Sequence, residues 1–283
     1  MLRTMFDVKP LTPAVGAEVT GPDLKQPISG SLAEQLRSAL WEHQMLVFRE
    51  QNLDIPAQKR LTAVFGDIMR LPYVASMDGE PEVIAVLKEA SERNVGVFGG
   101  NWHSDFSFLK QPPSGSVLNA VEVPEIGGDT LWANQVAAYD ALPADLRKIV
   151  DGRDAIHIGK PYGVKYPTPV ALRSSIQMSR DNPEADEETR HPAVMIHPHS
   201  GRKALFFNPI YTTRLDGMTE AESAPVFDAL YKHCTRPEFC CRLHWTPGTV
   251  AIWDNRTTLH YAVNDYDGSR RLLYRTTFVD PAN

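Results

Sequence analysis

One His-x-Asp pair occurs in the 283 residues, within Asn101–Phe108, Asn-Trp-His-Ser-Asp-Phe-Ser-Phe. In an extended segment side chains alternate between two faces, so His103 and Asp105 project on one side and Ser104 and Phe106 on the other. One imidazole nitrogen and one carboxylate are then aimed at a common point. A third ligand would complete one face of a metal's coordination sphere and leave the opposite face open, the two-histidine, one-carboxylate arrangement suited to non-haem Fe(II). The same pair also fits a strand histidine hydrogen-bonded to its neighbour's carboxylate. His260, in a late strand, is the candidate third ligand. The rival metal candidate is His197-Pro-His199, whose histidines share a strand face, but Ser200-Gly-Arg-Lys203 follows as a tight exposed turn and no third ligand stands nearby.

A second group carries positive charge. Arg271, Leu273 and Arg275 share one face of a strand. They read as surface arginines of an edge strand, or as guanidinia pointed into the fold, where each needs an anion. A small dicarboxylate that chelates iron at one end needs its far carboxylate neutralised, and arginine supplies a planar, two-pronged contact for it. Thr130, in Gly127-Gly-Asp-Thr, could add a hydroxyl. Gly99 and Gly100 permit the backbone to approach whatever His103 and Asp105 hold.

Strands have to position these side chains. Residues 5–20 read as short strands broken by Pro10, Pro13 and Gly16. Ser31-Leu-Ala-Glu34 has the capping-box form and opens a helix with Leu32, Leu36 and Leu40 on one face. Met45–Arg49 reads as a buried strand, and Pro56 and Gly66 bracket a second helix. Val83–Leu87, Ser116–Val121 and the end of Gly127–Trp132 read as further strands. Asn134 caps a helix ending at Leu142, and Pro143 opens another closed by Gly152. Residues 159–190 hold little apolar periodicity and carry five acidic residues between 181 and 188, which reads as a solvated loop or an active-site lid. A second capping box, Thr219-Glu-Ala-Glu222, starts a helix to about His233. Phe239–Trp245, Thr249–Asp254, Thr258–Val263 and Arg271–Val279 then read as consecutive strands. This pattern predicts a mainly β protein with flanking helices, a cupin-like double-sheet jelly roll rather than a parallel α/β sheet. In such a fold distant strands become neighbours, so His103 and His260 can ligate the same metal ion.

Hydrophobic residues make up 42% and charged residues 23%, ordinary composition for a globular chain, and the length suits one domain over 1–283. Lys plus Arg number 29 against 35 Asp plus Glu, so no basic surface argues for nucleic acid, and a small molecule is the expected partner. A homo-oligomer is left open. Cys240 and Cys241 would point to opposite strand faces and no Cys-x-x-Cys occurs, so no disulfide is expected. Without a signal-peptide core or a membrane-spanning run, a soluble cytoplasmic protein is expected.

Trp102-His-Ser-Asp105, Gly127-Gly-Asp-Thr-Leu-Trp132, and Trp253-Asp-Asn-Arg256 through His260-Tyr-Ala262 to Arg271 and Arg275 carry a resemblance. Over essentially its whole length the chain resembles the taurine dioxygenase and 2,4-dichlorophenoxyacetate dioxygenase family of Fe(II)- and 2-oxoglutarate-dependent oxygenases. The resemblance implies a double-stranded β-helix in which His103, Asp105 and His260 hold iron and Thr130 with Arg271 binds the far carboxylate of 2-oxoglutarate. It implies Arg275 close to the substrate's anionic group and Trp253 lining the iron site. The implied reaction consumes 2-oxoglutarate and O2, releases succinate and CO2, and hydroxylates an unactivated carbon. Because Asp105 stands where a small residue would make room for halide, hydroxylation rather than halogenation is implied. Two departures argue against taurine as substrate: no histidine lies between His43 and His103, and Gly99 stands where taurine dioxygenase has an asparagine. Phe106 and Phe108, where either points inward, would suit a substrate with an organic body and, through Arg275, an anionic end; Tyr211 reads as a further wall or as a core aromatic. Two other classes stay in view. A cupin-like protein that binds metal and organic acid without turnover would release no succinate, and a zinc hydrolase would leave Arg271 and Thr130 unexplained.

Overall fold

The computed structural model describes residues 5–166 and 176–282. Two antiparallel strands, β1 (Asp7–Pro10) and β2 (Ala17–Thr20), precede helix α1 (Gly30–His43). Its cap is Ser29 rather than Ser31, because extended backbone at Ser29 lets that hydroxyl accept from the Leu32 amide. β3 (Met45–Phe48), α2 (Ile55–Ala63), β4 (Asp67–Ile68), β5 (Ile84–Lys88), β6 (Gly115–Glu122) and β7 (Thr130–Asn134) follow. Asn134 caps α3 (Gln135–Asp140), and α4 (Ala144–Val150) leads into β8 (Asp154–His157), β9 (Thr189–Pro192), β10 (Val194–Ile196), β11 (Lys203–Leu205) and β12 (Thr212–Leu215). The reciprocal cap of Thr219 and Glu222 starts α5 (Glu220–Cys234), after which β13 (Cys240–Leu243), β14 (Val250–Asp254), β15 (Thr258–Ala262) and β16 (Arg271–Val279) close the chain.

The larger sheet runs β1-β2-β3-β14-β6-β16-β4, with β5 also on β16, and the smaller runs β13-β7-β15. Period-two alternation divides each strand between two interiors. Along β14, Ala251 and Trp253 face the smaller sheet, where they meet Trp132, Cys241 and Leu243. Val250 and Ile252 face outward against Leu36 and Leu40 of α1 and Leu61 of α2. On the far side of the smaller sheet, Ala133 and Leu259 pack against α3 and α5. The result is a mainly β molecule with flanking helices, two sheets facing across one core as a double-stranded β-helix.

Two expectations need correction. Asn101–Phe108 is not a strand: His103 alone pairs, with His260, and the chain then turns, Phe106 standing at φ +45°. Nor is 159–190 simply a solvated loop, although 167–175 lie outside the described residues. Tyr162 and Ala185 are buried, and the Asp186 carboxylate accepts the Val164 and Lys165 amides at 2.8 and 3.0 Å. The acidic run therefore folds back on its own loop through Asp186.

Candidate metal centre and active site

His103 and His260 exchange both backbone hydrogen bonds, at 2.8 and 3.0 Å, which sets their rings side by side with centroids 4.1 Å apart. Asp105, two residues on, brings Oδ1 to 3.5 Å from His103 Nε2 and 3.6 Å from His260 Nε2. Among the described residues these three form the one group of His, Cys, Asp and Glu whose ligand atoms all lie within 4.8 Å of one another. Neighbouring ligands of a first-row metal, each at about 2.1 Å, stand about 3 Å apart, so the Asp105 oxygen stands close to its place and the group, within 4.8 Å, has to close onto an ion. Donor chemistry agrees. His103 Nδ1 is 2.7 Å from the Asn101 carbonyl, which can only accept, so the proton sits there and the Nε2 lone pair faces the centre. Burial, and then the adjacent His103, push the His260 pKa well below the ordinary value, so this ring is neutral.

The two oxygens of Asp105 face different partners. Oδ2 accepts from Arg275 Nη2 at 2.6 Å and from Ser116 Oγ at 3.2 Å, leaving Oδ1 for the histidine side. Burial alone would raise the Asp105 pKa, but the Arg275 guanidinium holds it far below the usual carboxylate range. The backbone is fixed as firmly. Asn255, in the turn between β14 and β15, accepts from the Asp105 amide at 2.7 Å and donates to the carbonyls of Asp105 and Pro113. Ser104, on the opposite face, donates to the carbonyls of Asn255 and Thr258. At Gly99, φ is +78° and a Cβ would stand 3.0 Å from His103 Cε1, so the close approach requires glycine. The Trp253 ring lies 4.8 Å from that of His260.

Arg271 is 4% exposed, donates through Nε to the Gly128 carbonyl at 3.0 Å and reaches Thr130 Oγ1 at 3.5 Å. Among the described residues no carboxylate lies within ion-pair distance of it. Burial lowers its pKa, yet a guanidinium stays charged in a protein, so this one is a ready receptor for an organic anion. Four residues along β16, about 13 Å between α-carbons, separate it from Arg275, which pairs with Asp105.

A cavity of about 220 Å³ opens beside His103 and Asp105, with Phe106, Tyr162, Tyr211 and Arg180 among its walls. Two expected wall residues are placed otherwise. Phe108 packs behind, its ring 5.7 Å from Phe106 and 5.0 Å from Tyr211, because the turn at Phe106 sends it back into an aromatic layer. Arg275 turns to Asp105, the nearest buried carboxylate, instead of facing the cavity. His197 and His199 are not paired on an exposed strand face: His197 is buried on Asp254 at 3.0 Å and His199 sits on Asp280 at 2.5 Å. Sequence reasoning missed Asn255, Ser116, Tyr162 and Arg180. Only Asn255 had a signal, its place in Trp253-Asp-Asn-Arg256.

Residues 7–277 match the model of the family described as "Taurine catabolism dioxygenase TauD, TfdA family". An alkylsulfatase of Acinetobacter baylyi is 33% identical over 280 residues, covering 97% of this chain and 85% of that protein. An alpha-ketoglutarate-dependent sulfate ester dioxygenase of Pseudomonas putida is 34% identical over 276 residues, covering 97% and 89%. The crystal structure of a taurine dioxygenase from Burkholderia xenovorans superposes with a TM-score of 0.80 at 35% identity, over 98% of this chain and 90% of that one.

Proposed function

We propose, because the chain belongs to the TauD, TfdA family of dioxygenases, that His103, Asp105 and His260 hold its Fe(II) and that Arg271 with Thr130 receives the far carboxylate of 2-oxoglutarate. The enzyme is an Fe(II)- and 2-oxoglutarate-dependent dioxygenase that hydroxylates an unactivated carbon of a small organic substrate, with succinate and CO2 as co-products. Bound iron supplies the Lewis acidity and the electrons for dioxygen chemistry. The chain's own part is geometric and electrostatic. Arg275 and Ser116 keep Asp105 ionised and turn one oxygen to the centre, Asn255 fixes its backbone, and the rings of Trp253, Phe106, Tyr162 and Tyr211 exclude bulk water.

The substrate class proposed is the sulfate esters of small alcohols. Two relatives named for sulfate ester chemistry align over nearly the whole chain, and the cavity walls join aromatic rings to a guanidinium. Hydroxylation of the carbon bearing the ester oxygen gives a hemiacetal sulfate, which loses sulfate as the C–O bond breaks and leaves an aldehyde. The cytoplasm is the compartment proposed, supported by Cys234, Cys240 and Cys241 all being free thiols. Among the described residues no helix is long and apolar enough to cross a membrane. We further take 1–283 to work as one domain, in which Pro161, Tyr162, Met178 and Arg180 border the cavity.

One observation carries the reading: the convergence of His103, Asp105 and His260 within 4.8 Å. The test is a panel of alkyl sulfates, sulfonates and carboxylates assayed under air for substrate-stimulated succinate and for free sulfate. Stimulation by alkyl sulfates, lost in His260→Ala together with Fe(II) binding, is expected. Stimulation by another anion class alone would reject the sulfate assignment, and no succinate with any member would favour a metal and organic-acid binder.

A further inference from the structure

Arg271 stands directly opposite Lys88 in the antiparallel pairing of β16 with β5, so two buried cations lie side by side on one face of the larger sheet. Lys88 is neutralised. Its Nζ donates to Asp267 Oδ1 at 2.6 Å and to Asn264 Oδ1 at 2.8 Å. Arg271 is not, although Asp129 lies in the turn beside it and Asp265 and Asp267 in the loop before it. Each of these carboxylates is committed to another partner: Asp129 to Arg242 at 2.6 Å and His244 at 3.0 Å, Asp265 to the Gly128 amide at 2.7 Å, and Asp267 to Lys88.

What the loop gives Arg271 instead is a phenol. Tyr266, from the segment joining β15 to β16, is 5% exposed, and its hydroxyl is within hydrogen-bonding reach of the guanidinium. A guanidinium only donates, so the phenol oxygen accepts. Both cations also lie over its ring, Lys88 Nζ at 4.8 Å and Arg271 Cζ at 5.8 Å from the centroid. Burial raises the phenol pKa, so the group stays protonated and neutral near neutral pH. The ring has little freedom to adapt, because the loop is pinned along its length. The Val263 amide donates to the Asp129 carbonyl at 2.9 Å, Asn264 Nδ2 donates to the Val95 carbonyl at 2.9 Å, and Asp267 Oδ2 accepts from the Asn94 amide at 3.1 Å.

We propose that Tyr266 is a positioning residue of the co-substrate site: its hydroxyl orients the Arg271 guanidinium toward the far carboxylate of 2-oxoglutarate, and the loop clamped by Lys88 and Asp267 holds it there. The inference rests on the assignment of Arg271 and Thr130 to 2-oxoglutarate made above and deepens it. A long arginine side chain left free samples several reaches, whereas one held by a fixed hydroxyl presents its two-pronged face at one distance. Tyr266 therefore tunes the site to the length of a five-carbon diacid.

The test is calorimetry of 2-oxoglutarate and of 2-oxoadipate, one methylene longer, binding to protein loaded with Mn(II). Wild type should favour 2-oxoglutarate. Tyr266→Phe keeps the ring and removes only the hydroxyl; it should weaken 2-oxoglutarate about five- to twentyfold, weaken 2-oxoadipate less, and leave Mn(II) affinity unmoved. In an Arg271→Gln background the same change should weaken 2-oxoglutarate no further, because the hydroxyl acts through the guanidinium. Equal 2-oxoglutarate affinity in wild type and Tyr266→Phe overturns the assignment, as does a loss equal for the two diacids or undiminished in the Arg271→Gln background. An Arg271→Gln variant that binds 2-oxoglutarate as wild type does overturns the reading of Arg271 itself, and this assignment with it.

Discussion

Asp105 shows how much one side chain's environment decides. Its two oxygens are chemically alike, yet Arg275 and Ser116 take one and leave the other beside two imidazoles. A cation held there would therefore meet a carboxylate already oriented and already charged. Arg271 shows the complementary case, a buried positive charge with a carbonyl and a hydroxyl for partners. Replacing it by Gln removes a charge-assisted contact worth about 1.5–3 kcal/mol, so the 2-oxoglutarate requirement should rise about ten- to hundredfold. The check is the 2-oxoglutarate dependence of succinate release, with the substrate KM unmoved; Arg271→Lys should rescue little, since an ammonium cannot reproduce the two-pronged geometry.

At the scale of elements, the centre depends on a turn that touches no ligand atom. Asn255 spans from the β14–β15 turn to the backbone of Asp105 and of Pro113, tying two stretches of chain far apart in sequence. Asn255→Ala leaves three buried backbone groups without these partners, at about 1–3 kcal/mol each. A lowered Tm and a Mn(II) affinity reduced about 10–100-fold are expected, the latter from the general cost of losing outer support to a ligand. Thermal scans with and without Mn(II) separate the two effects: a variant that melts lower but binds Mn(II) as before would confine Asn255 to stability. Gly99→Ala should act on the centre more directly. It presses on His103 Cε1 and forces an unfavourable φ costing about 1–3 kcal/mol, so metal affinity should fall together with Tm, read by the same scans.

For the molecule as a whole, the sheets are braced by a buried charged network beside the centre. Arg256 pairs with Asp254 at 2.6 Å and with Asp280 at 3.1 Å, while His197 and His199 close the ends and Trp41 stacks on His199. Burial alone would raise the Asp254 pKa, but Arg256 and His197 hold it well below the usual range. A carboxylate depressed in this way stabilises the fold above its unfolded pKa, about 4, and that contribution is lost as pH falls toward its folded value. Arg256→Leu removes the main counter-charge of a buried pair at about 3–5 kcal/mol. The midpoint of acid unfolding, followed by tryptophan fluorescence, should therefore move to higher pH; an unmoved midpoint would deny the network this role.

The sequence by itself determined the alternation that builds two facing sheets, because a period of two is a local property of residue types. It also presented His103, Asp105, His260, Arg271 and Thr130 as a set, since these chemistries stand in recognisable short motifs. Tertiary structure alone decided which way each side chain was spent. Nothing local tells that Arg275 closes on Asp105, that Phe108 turns behind Phe106, or that His197 pairs with Asp254, for each partner arrives from another strand or loop. Arg180 had no signal at all: an arginine in an acidic loop reads as solvated until the chain folds it against the cavity.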